Sequence, residues 1–501
     1  LALDPPPAAV HLAEEGPRGW TTASSGTSRL ESGAGWGHAR FELAAAAASH
    51  WRLGIEDSAP PSPVPEALSG TTPGVEVELP DAVFEECLKS QVAHLMMSLV
   101  GGQTRSSDPV NVPIPWQRTG AYIIAALAGA GKLEAARELS VYLAENDFYG
   151  GFGPEGDAPG LGIWALEEVA ARVNRRDYDL ELWPHVRRKA EWILKLLSAK
   201  EAVRVRGDFS IVPRQRHQRD LDLVAEPARD GLIIGRMDFH RPLLYINAVS
   251  YKGLVDAAAI AERLERFPEA SRWRAAAAEL EKAWARAFHP PASENDRTYI
   301  SGLWPAWVAA GARETFREGL ESRWGRLRDS RGAYLEPPLW TYFEIADAHQ
   351  WLYLGREDRT WQTLRWFFGN QSSPGLYTWW EGDDEGNAFG DWKRIRGWVN
   401  PPNVQPHYWT TAEMILLQLD MLAHVDLAGS EPELVVGAGI PASWTGEPLA
   451  ARGLSTRLGR VDWSWKDGTM RVTLRGRDCK VRLGPSFPRD ARLEVERPEE
   501  S

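Results

Sequence analysis

The side chains best suited to proton transfer lie in two long stretches between predicted helices. Asp238 stands in the run RMDFH (236–240), shortly before a predicted helix, and Glu381 directly follows Trp379 and Trp380. A carboxyl group donates a proton when it is protonated and acts as a base or a nucleophile when it is ionised. Two such groups on separate loops supply both halves of acid–base catalysis, provided that the fold brings them together.

The surroundings of Asp238 allow two interpretations. Its apolar neighbours Met237 and Phe239 are expected to raise its pKa by removing water, as an acid that works near neutral pH requires. The alternative is a structural carboxylate that caps the following helix or pairs with Arg236 or Arg241. Two other acids of the same stretch are further candidates for the same role, Glu226 and Asp230.

Glu381 combines an aromatic flank with an acidic run. Trp379 and Trp380 offer flat apolar area against which a ligand ring can stack, and they exclude water from one side of the carboxylate. The following run GDDEGN (382–387) has no apolar content, so the alternative is a solvated loop or an incidental cation site. The run lacks the ligand ladder of an EF-hand. The next candidates in this stretch are Asp383 and Asp384.

The elements that must position these residues are predicted to be helices. From about residue 80 to residue 425, apolar side chains recur with a period of about 3.6. Two connections, 199–244 and 370–407, exceed the usual roughly 2–8 residues of a helix–helix link, and they hold the acids described above. The pattern predicts twelve helices, near 81–99, 118–129, 132–146, 160–174, 182–198, 245–264, 268–288, 302–310, 312–326, 339–353, 356–369 and 408–424.

The predicted fold class is mainly α, with a closed (α/α)6 toroid of twelve helices over residues 79–428. The helices share no repeat of fixed length, which favours a closed toroid over an open solenoid. Residues 1–78 are rich in Pro, Gly, Ser and Ala and predict a partial β appendage or wrapping arm. Residues 429–501 alternate in short runs and predict a small β-domain, with a hairpin turn at 466–468 (KDG).

Composition excludes several classes of partner. The chain has 57 basic and 69 acidic residues and a net charge of −12, which disfavours nucleic acid and anionic membranes. No apolar run is long enough to span a membrane and no targeting segment is recognisable, so we expect a soluble protein of unassigned compartment and oligomeric state. Two cysteines, scattered histidines and the lack of a phosphate-binding loop predict no disulfide framework, metal or nucleotide cofactor.

Four segments resemble the six-hairpin glycosidases, the toroid shared by glucoamylase-like family 15, family 78 α-L-rhamnosidases and debranching-type enzymes. They occur in the family's order between about residues 80 and 450. One departure is Thr119, where the family has an Asp that binds a sugar hydroxyl, so glucose specificity does not follow. The four segments are PWQRTGAY (115–122), GDAPGL (156–161), LYTWWE (376–381) and QPHYWT (405–410).

The resemblance implies which residues act. The acid lies before the sixth helix and the base before the twelfth, which selects Asp238 and Glu381 as the catalytic pair. Trp116, Asp157 and Trp340 are candidates for sugar binding, and each also has a structural interpretation. Trp116 would plug the toroid, Asp157 would cap a helix, and Trp340 would pack in the core. The residues implied to bind the sugar are Trp116, Arg118, Asp157, Trp379, Trp380, His407 and Trp409.

The expected function is therefore an exo-acting glycoside hydrolase with an oligosaccharide or glycoside substrate. It would remove a terminal α-linked glucose or α-L-rhamnose by inversion, with roughly 6.5–9.5 Å between the two carboxyl groups. Two other classes stay open. A helical-toroid polysaccharide lyase would need a basic cleft, and a non-catalytic sugar-binding relative would need no acid.

Overall fold

The described part of the chain forms two compact units, one within residues 1–70 and the other drawn from 71–387 and 403–501. The predicted boundaries at 78 and 428 stay predictions. Besides five strands between residues 2 and 54, the computed structural model describes residues 73–107, 115–150, 153–205, 222–238, 240–290, 297–372, 375–382, 404–429 and 431–498.

The first unit contains two small sheets. Strand β1 (Ala2–Asp4) pairs antiparallel with β5 (Arg52–Gly54). The second sheet has β2 (Ala9–Gly16) at its centre, flanked by β3 (Gly19–Gly26) and β4 (Trp36–Arg40), and both pairings are antiparallel. These strands fall in the stretch for which the turn-rich composition predicts β structure.

Helices dominate the second unit, as the 3.6-residue period predicts. Their bounds agree with eleven of the predicted segments to within a few residues at most ends. The described residues hold eleven α-helices: α1 (Ala82–Met97), α2 (Gln117–Gly129), α3 (Leu133–Glu145), α4 (Ala158–Val173), α5 (Arg176–Leu197), α6 (Leu243–Arg263), α7 (Phe267–Ala287), α8 (Arg313–Leu327), α9 (Thr341–Tyr353), α10 (Glu357–Gly369) and α11 (Tyr408–Leu422).

The helices divide into an inner and an outer layer. Helices α2, α4, α6, α9 and α11 are buried along most of their surface, whereas α3, α5, α7, α8 and α10 bury only one face. Because α2 and α4 are rich in small and apolar residues and nearly all of their residues are buried, other elements enclose them. Helix α2 packs against α4 and α11, α4 also packs against α6, and α9 packs against α11.

The predicted helix at 302–310 is wrong. This segment forms a series of turns and ends in a short 3-10 helix, Ala310–Ala312. Pro305 lacks an amide hydrogen and its ring is incompatible with an α-helix interior, and Trp307 adopts a φ of 65°. The segment still lies among the inner helices, since the amides of Leu303 and Trp304 donate to Oε1 of Gln350 in α9 at 2.9 and 3.1 Å. A closed toroid of twelve helices stays a prediction.

Part of the long connection 199–244 folds as an antiparallel sheet. Strands β9 (Val203–Arg204), β10 (Leu223–Arg229) and β11 (Leu232–Gly235) pair in the order β11-β10-β9. Asp230 and Gly231 have φ values of 57° and 80°, which suits a tight hairpin turn. The sheet ends just before Asp238. Upstream, β7 (Tyr149–Gly150) and β8 (Gly153–Pro154) form a second hairpin that leads into α4.

The C-terminal strands build two sheets. The smaller contains β12 (Ala423–Asp426), β13 (Glu433–Val436) and β17 (Lys480–Leu483). The larger contains β6 (Glu76–Glu78), from the segment before α1, together with β14 (Leu449–Thr456), β15 (Gly459–Lys466), β16 (Thr469–Gly476) and β18 (Arg492–Glu496). Its strands lie in the order β18-β16-β15-β14-β6. The predicted hairpin turn is confirmed between β15 and β16 at Asp467 and Gly468, which have φ values of 48° and 73°.

Two glycines set the distance between inner helices α4 and α6. A Cβ atom on Gly160 would lie 2.4 Å from the carbonyl oxygen of Val249, and one on Gly253 would lie 2.7 Å from the Cα atom of Gly160. The atoms in the way are backbone, which cannot move aside without shifting a helix.

In the described residues, no helix is both apolar and long enough to cross a membrane.

We expect Gly160→Ala to lower the free energy of unfolding by about 1–3 kcal/mol, because the added methyl group overpacks a backbone contact. Denaturant unfolding followed by circular dichroism measures this change. The matched control is Gly325→Ala in α8, where a Cβ atom meets nothing within 4 Å. That variant should be stabilised by about 0.5–1 kcal/mol. Equal effects of the two substitutions would contradict the close approach of α4 and α6.

Candidate active site

Arg118 gathers three carboxylates from two other segments of the chain. It lies in the first turn of α2 and is only 6% exposed. Its Nε donates to Asp157 Oδ2 at 2.7 Å and its Nη2 to Glu155 Oε2 at 2.6 Å, while its Nη1 lies 3.6 Å from Asp238 Oδ2. The predicted residues Arg118, Asp157 and Asp238 are therefore in one cluster. Sequence reasoning missed Glu155, although it directly precedes the GDAPGL segment.

The structure does not support the alternative of a helix-capping Asp157. Asp157 occupies the N-cap position of α4, but its side chain makes no capping hydrogen bond there. Its carboxylate instead accepts from Arg118. The side chain is 1% exposed, so this contact replaces the water that the carboxylate would otherwise bind.

Asp238 is held in place by its backbone. Its amide donates to Glu155 Oε1 at 2.7 Å, and its carbonyl accepts from Arg236 Nη1 at 2.6 Å. Its φ of 49° is uncommon for a residue other than glycine. Because Pro242 is the N-cap of α6, Asp238 does not cap that helix. Its carboxylate faces Arg118 and, at 3.9 Å, Arg297.

The two reserve acids lie in other environments. Glu226 forms an ion pair with Arg241 at 2.7 Å, and the two side chains are 45% and 43% exposed. Arg241 is therefore not the ion-pair partner that a structural role of Asp238 would require. Asp230 lies in the turn between β10 and β11. Both acids have ordinary structural surroundings, whereas Asp238 belongs to the buried cluster.

The prediction that apolar neighbours raise the pKa of Asp238 is wrong. Burial acts in that direction, but Arg118 and then Arg297 act against it, and the net effect lowers the pKa. Met237 is buried as expected, whereas Phe239 lies outside the described residues. The two arginines are remote from Asp238 in sequence, so the local pattern could not reveal them.

Burial acts more strongly on Glu155 than its neighbouring charges do. It raises the pKa of Glu155 well above the ordinary value; Arg118 opposes this rise, and the charges of Asp238 and Asp157 add to it. Both oxygens of Glu155 accept hydrogen bonds, Oε2 from Arg118 and Oε1 from the amide of Asp238. The pKa values of Glu155 and Asp238 are therefore shifted in opposite directions.

Glu381 is fixed between the starts of α9 and α11. Its amide donates to the carbonyl of Val404 at 3.1 Å, and its carbonyl accepts from the amide of Thr341 at 3.2 Å. Its side chain is 29% exposed and lies 3.9 Å from Nε2 of His407. Burial lowers the pKa of His407 to about 3, so this imidazole carries no charge near neutral pH. The acids Asp383 and Asp384 lie outside the described residues.

The aromatic residues of the second connection differ in their exposure. Trp379 is 1% exposed and its Nε1 donates to the carbonyl of Phe367 at 3.1 Å, so it packs in the core. Trp380 is half-buried, with its ring 6.3 Å from that of Trp366. Of the two, only Trp380 retains surface that a ligand can reach.

The remaining aromatic candidates frame the site. Trp116 is half-buried at the N-cap of α2, and Trp340 is half-buried at the N-cap of α9, paired with Gly382 by a β-bridge. Trp409 is 3% exposed and donates from Nε1 to Glu413 at 3.1 Å. Burial raises the pKa of Glu413 well above its ordinary value, and the hydrogen bond from Trp409 opposes this rise.

Tyr342, which sequence reasoning also missed, connects the two halves. Its ring lies 5.0 Å from His407 and 4.4 Å from Trp409. Burial raises its pKa, and the charges of Arg297, Glu381 and Asp238 all act on the same hydroxyl. The carboxylates of the two long connections therefore border one region. Among the described residues, no group of three or more His, Cys, Asp or Glu side chains is arranged so that it could hold a metal ion.

Comparison with known proteins gives structural relatives only. No family model matches the chain, and no curated protein does. Similar solved structures include the family 78 rhamnosidase of Bacillus sp. GL1, at 14% sequence identity and a TM-score of 0.51, over 86% of this chain and 44% of that one. An α-L-rhamnosidase from Dictyoglumus thermophilum has 10% identity and a TM-score of 0.51, over 82% and 45% of the two chains.

A third structure, described as a wild-type glycosidase, has 12% identity and a TM-score of 0.50, over 67% of this chain and 96% of that one. The present chain thus spans less than half of each rhamnosidase and nearly all of this third protein. At these identities the likeness concerns the fold. The chain has the helical fold with accompanying β-sheets that is found in family 78 rhamnosidases and other glycosidases.

Proposed function

We propose that this protein is an exo-acting glycoside hydrolase that removes a terminal sugar with inversion. Asp238 protonates the leaving oxygen, and Glu381 activates the attacking water. The observation that carries this proposal is the common region of the two carboxylates, which lie on different connections and both act electrostatically on Tyr342. A pair of carboxyl groups that flank one bound sugar is what glycoside hydrolysis requires.

The neighbouring groups suit these roles. Glu381 is partly exposed, so water can reach its carboxylate and lose a proton to it. Asp238 is 17% exposed, which allows contact with a substrate, whereas Glu155 is 2% exposed and serves as a buried partner. Arg118 lies beside Asp238 and offers hydrogen bonds to sugar hydroxyls, Asp157 holds the guanidinium of Arg118 in place, and Trp380 offers an apolar face.

An α-L-rhamnoside is the first substrate to test, and an α-glucoside is the second. Two of the structural neighbours are described as rhamnosidases. Thr119 stands where the six-hairpin family has an Asp that binds a sugar hydroxyl, so glucose specificity does not follow. The order of testing therefore rests on the structural neighbours.

Glu381→Gln should lower kcat by about 10²- to 10⁴-fold, because an amide cannot accept a proton from water. Turnover of aryl α-L-rhamnoside and aryl α-glucoside measures the loss. The matched control is Glu226→Gln, which removes a carboxylate from an exposed ion pair and should leave kcat unchanged. Unchanged turnover of Glu381→Gln, with an unaltered circular dichroism spectrum, would remove Glu381 from the mechanism.

The rate should fall as the pH rises through the pKa of Asp238, since only the protonated form can donate. Burial raises this pKa, but Arg118 and Arg297 lower it overall, so we expect an acidic optimum. Arg297→Gln removes one of these two positive charges and should move the alkaline limb of kcat/KM to higher pH. The alkaline limb of kcat/KM reports the pKa of the catalytic acid in the free enzyme.

Arg241→Gln is the control for this profile. Arg241 lies close to Asp238 in sequence, but its guanidinium pairs with Glu226, so the alkaline limb should stay in place. An alkaline limb that does not move in Arg297→Gln would mean that another group is the acid.

One observation favours a second candidate, a sugar-binding protein without catalysis. Asp238 is ionised near neutral pH, and an ionised carboxylate holds hydroxyl groups but donates no proton. In that case the wild-type protein would bind rhamnose or glucose in calorimetry and would turn over no aryl glycoside at any pH from about 2.5 to about 8, a range that extends below the ordinary Asp pKa of about 3.9. Turnover at acidic pH would exclude this candidate.

A further inference from the structure

A cavity lies at the opposite end of α4 from the candidate active site. The segment 171–174 at the carboxyl end of α4 forms one wall, and residues 455–460 and 475–477 of the large C-terminal sheet form another. Helix α4 has 16 residues and is therefore about 24 Å long, so this cavity and Asp157 are separated by about that distance. Its volume is about 680 Å³.

Five arginines line this cavity, although the protein as a whole has a net charge of −12. No carboxylate belongs to the described lining. The carboxyl end of α4 contributes a partial negative charge of about half a unit, which the arginines exceed. The arginines are Arg172, Arg457, Arg460, Arg475 and Arg477.

The deep wall is built from buried, oriented arginines. Arg172 and Arg457 are 10% and 14% exposed, and both form ion pairs with Glu168. Arg457 also pairs with Asp256 at 2.9 Å, and Asp256 pairs in turn with the buried Lys252. Glu167 also acts on Arg457, so the charges of this wall are nearly balanced, and the arginines of the rim supply most of the attraction for an anion.

The rim carries further positive charge. Arg475 on β16 pairs with Asp462 at 2.6 Å, and Arg477 donates from Nη2 to the carbonyl of Arg457 at 3.0 Å. Arg460 is exposed on β15, beside this pair. A guanidinium group binds carboxylate, sulfate or phosphate through paired hydrogen bonds, which makes an arginine cluster selective for oxyanions.

We propose that this arginine-lined cavity binds an oxyanion-bearing ligand, and that the acidic groups of a carboxylated or sulfated oligosaccharide supply the oxyanion. A single water molecule occupies about 30 Å³, so a cavity of about 680 Å³ is far larger than an inorganic ion needs. Its volume falls in the range of about 300–1,000 Å³ that small-molecule sites occupy. Free inorganic phosphate carries the same oxyanion chemistry and is the alternative source of the bound oxyanion.

Calorimetry with the full chain tests this proposal, with a tetrameric oligogalacturonate and inorganic phosphate as the two probes. We expect the oligouronate to bind and its affinity to fall as salt is raised, because the contacts are between charges. Arg475→Ala combined with Arg477→Ala should weaken binding by about 10-fold or more, as expected for the loss of charged hydrogen bonds.

The matched control is Arg471→Ala. Arg471 lies on the same strand β16 and pairs with Glu494 at 3.0 Å, but it does not line the cavity, so binding should be unchanged. Glu381→Gln should also bind both probes normally, which separates this site from the proposed hydrolase activity. Phosphate binding that is lost in the double variant, without oligouronate binding, would support the oxyanion site and identify a free anion as its ligand. Binding of neither probe, or binding equally strong in the double variant, would overturn the proposal.

Discussion

The buried guanidinium of Arg118 is the constraint on which the candidate active site depends. A charge at 6% exposure has lost most of its water, and only opposite charges and hydrogen bonds can compensate for that loss. Arg118 obtains them from Glu155 and Asp157 at the entry to α4 and from Asp238 after β11. Three segments that are distant in the chain are therefore held at one point by a single side chain.

The same cluster shifts the pKa values of its acids in opposite directions. Burial raises the pKa of Glu155 against the opposing charge of Arg118, whereas Arg118 and Arg297 together lower the pKa of Asp238 against the effect of burial. Burial also raises the pKa of Glu413 and lowers that of His407 to about 3. An acid with a lowered pKa is protonated only at acidic pH, so the proposed role of Asp238 requires an acidic medium for the reaction.

The inner helices give the molecule two chemically different ends. Arg118 lies at the amino end of α2, Asp157 directly precedes α4, Tyr342 lies in the first turn of α9, and His407 directly precedes α11. Helix amino ends carry partial positive charge and so stabilise the ionised carboxylates gathered there. The carboxyl end of α4 carries the opposite partial charge, and it is met by arginines from the C-terminal sheet.

The sequence alone determined the helices with clear apolar periodicity and the hairpin at Asp467 and Gly468, because those patterns are local. Motif resemblance singled out Arg118, Asp157 and Asp238, which the structure brings together. The contacts of Glu155 and Tyr342, the burial of Trp379 and the direction of the Asp238 pKa shift were decided only by the tertiary structure. A pKa depends on every charge within a few ångströms, and the sequence beside Asp238 shows Met237 but not Arg118 or Arg297.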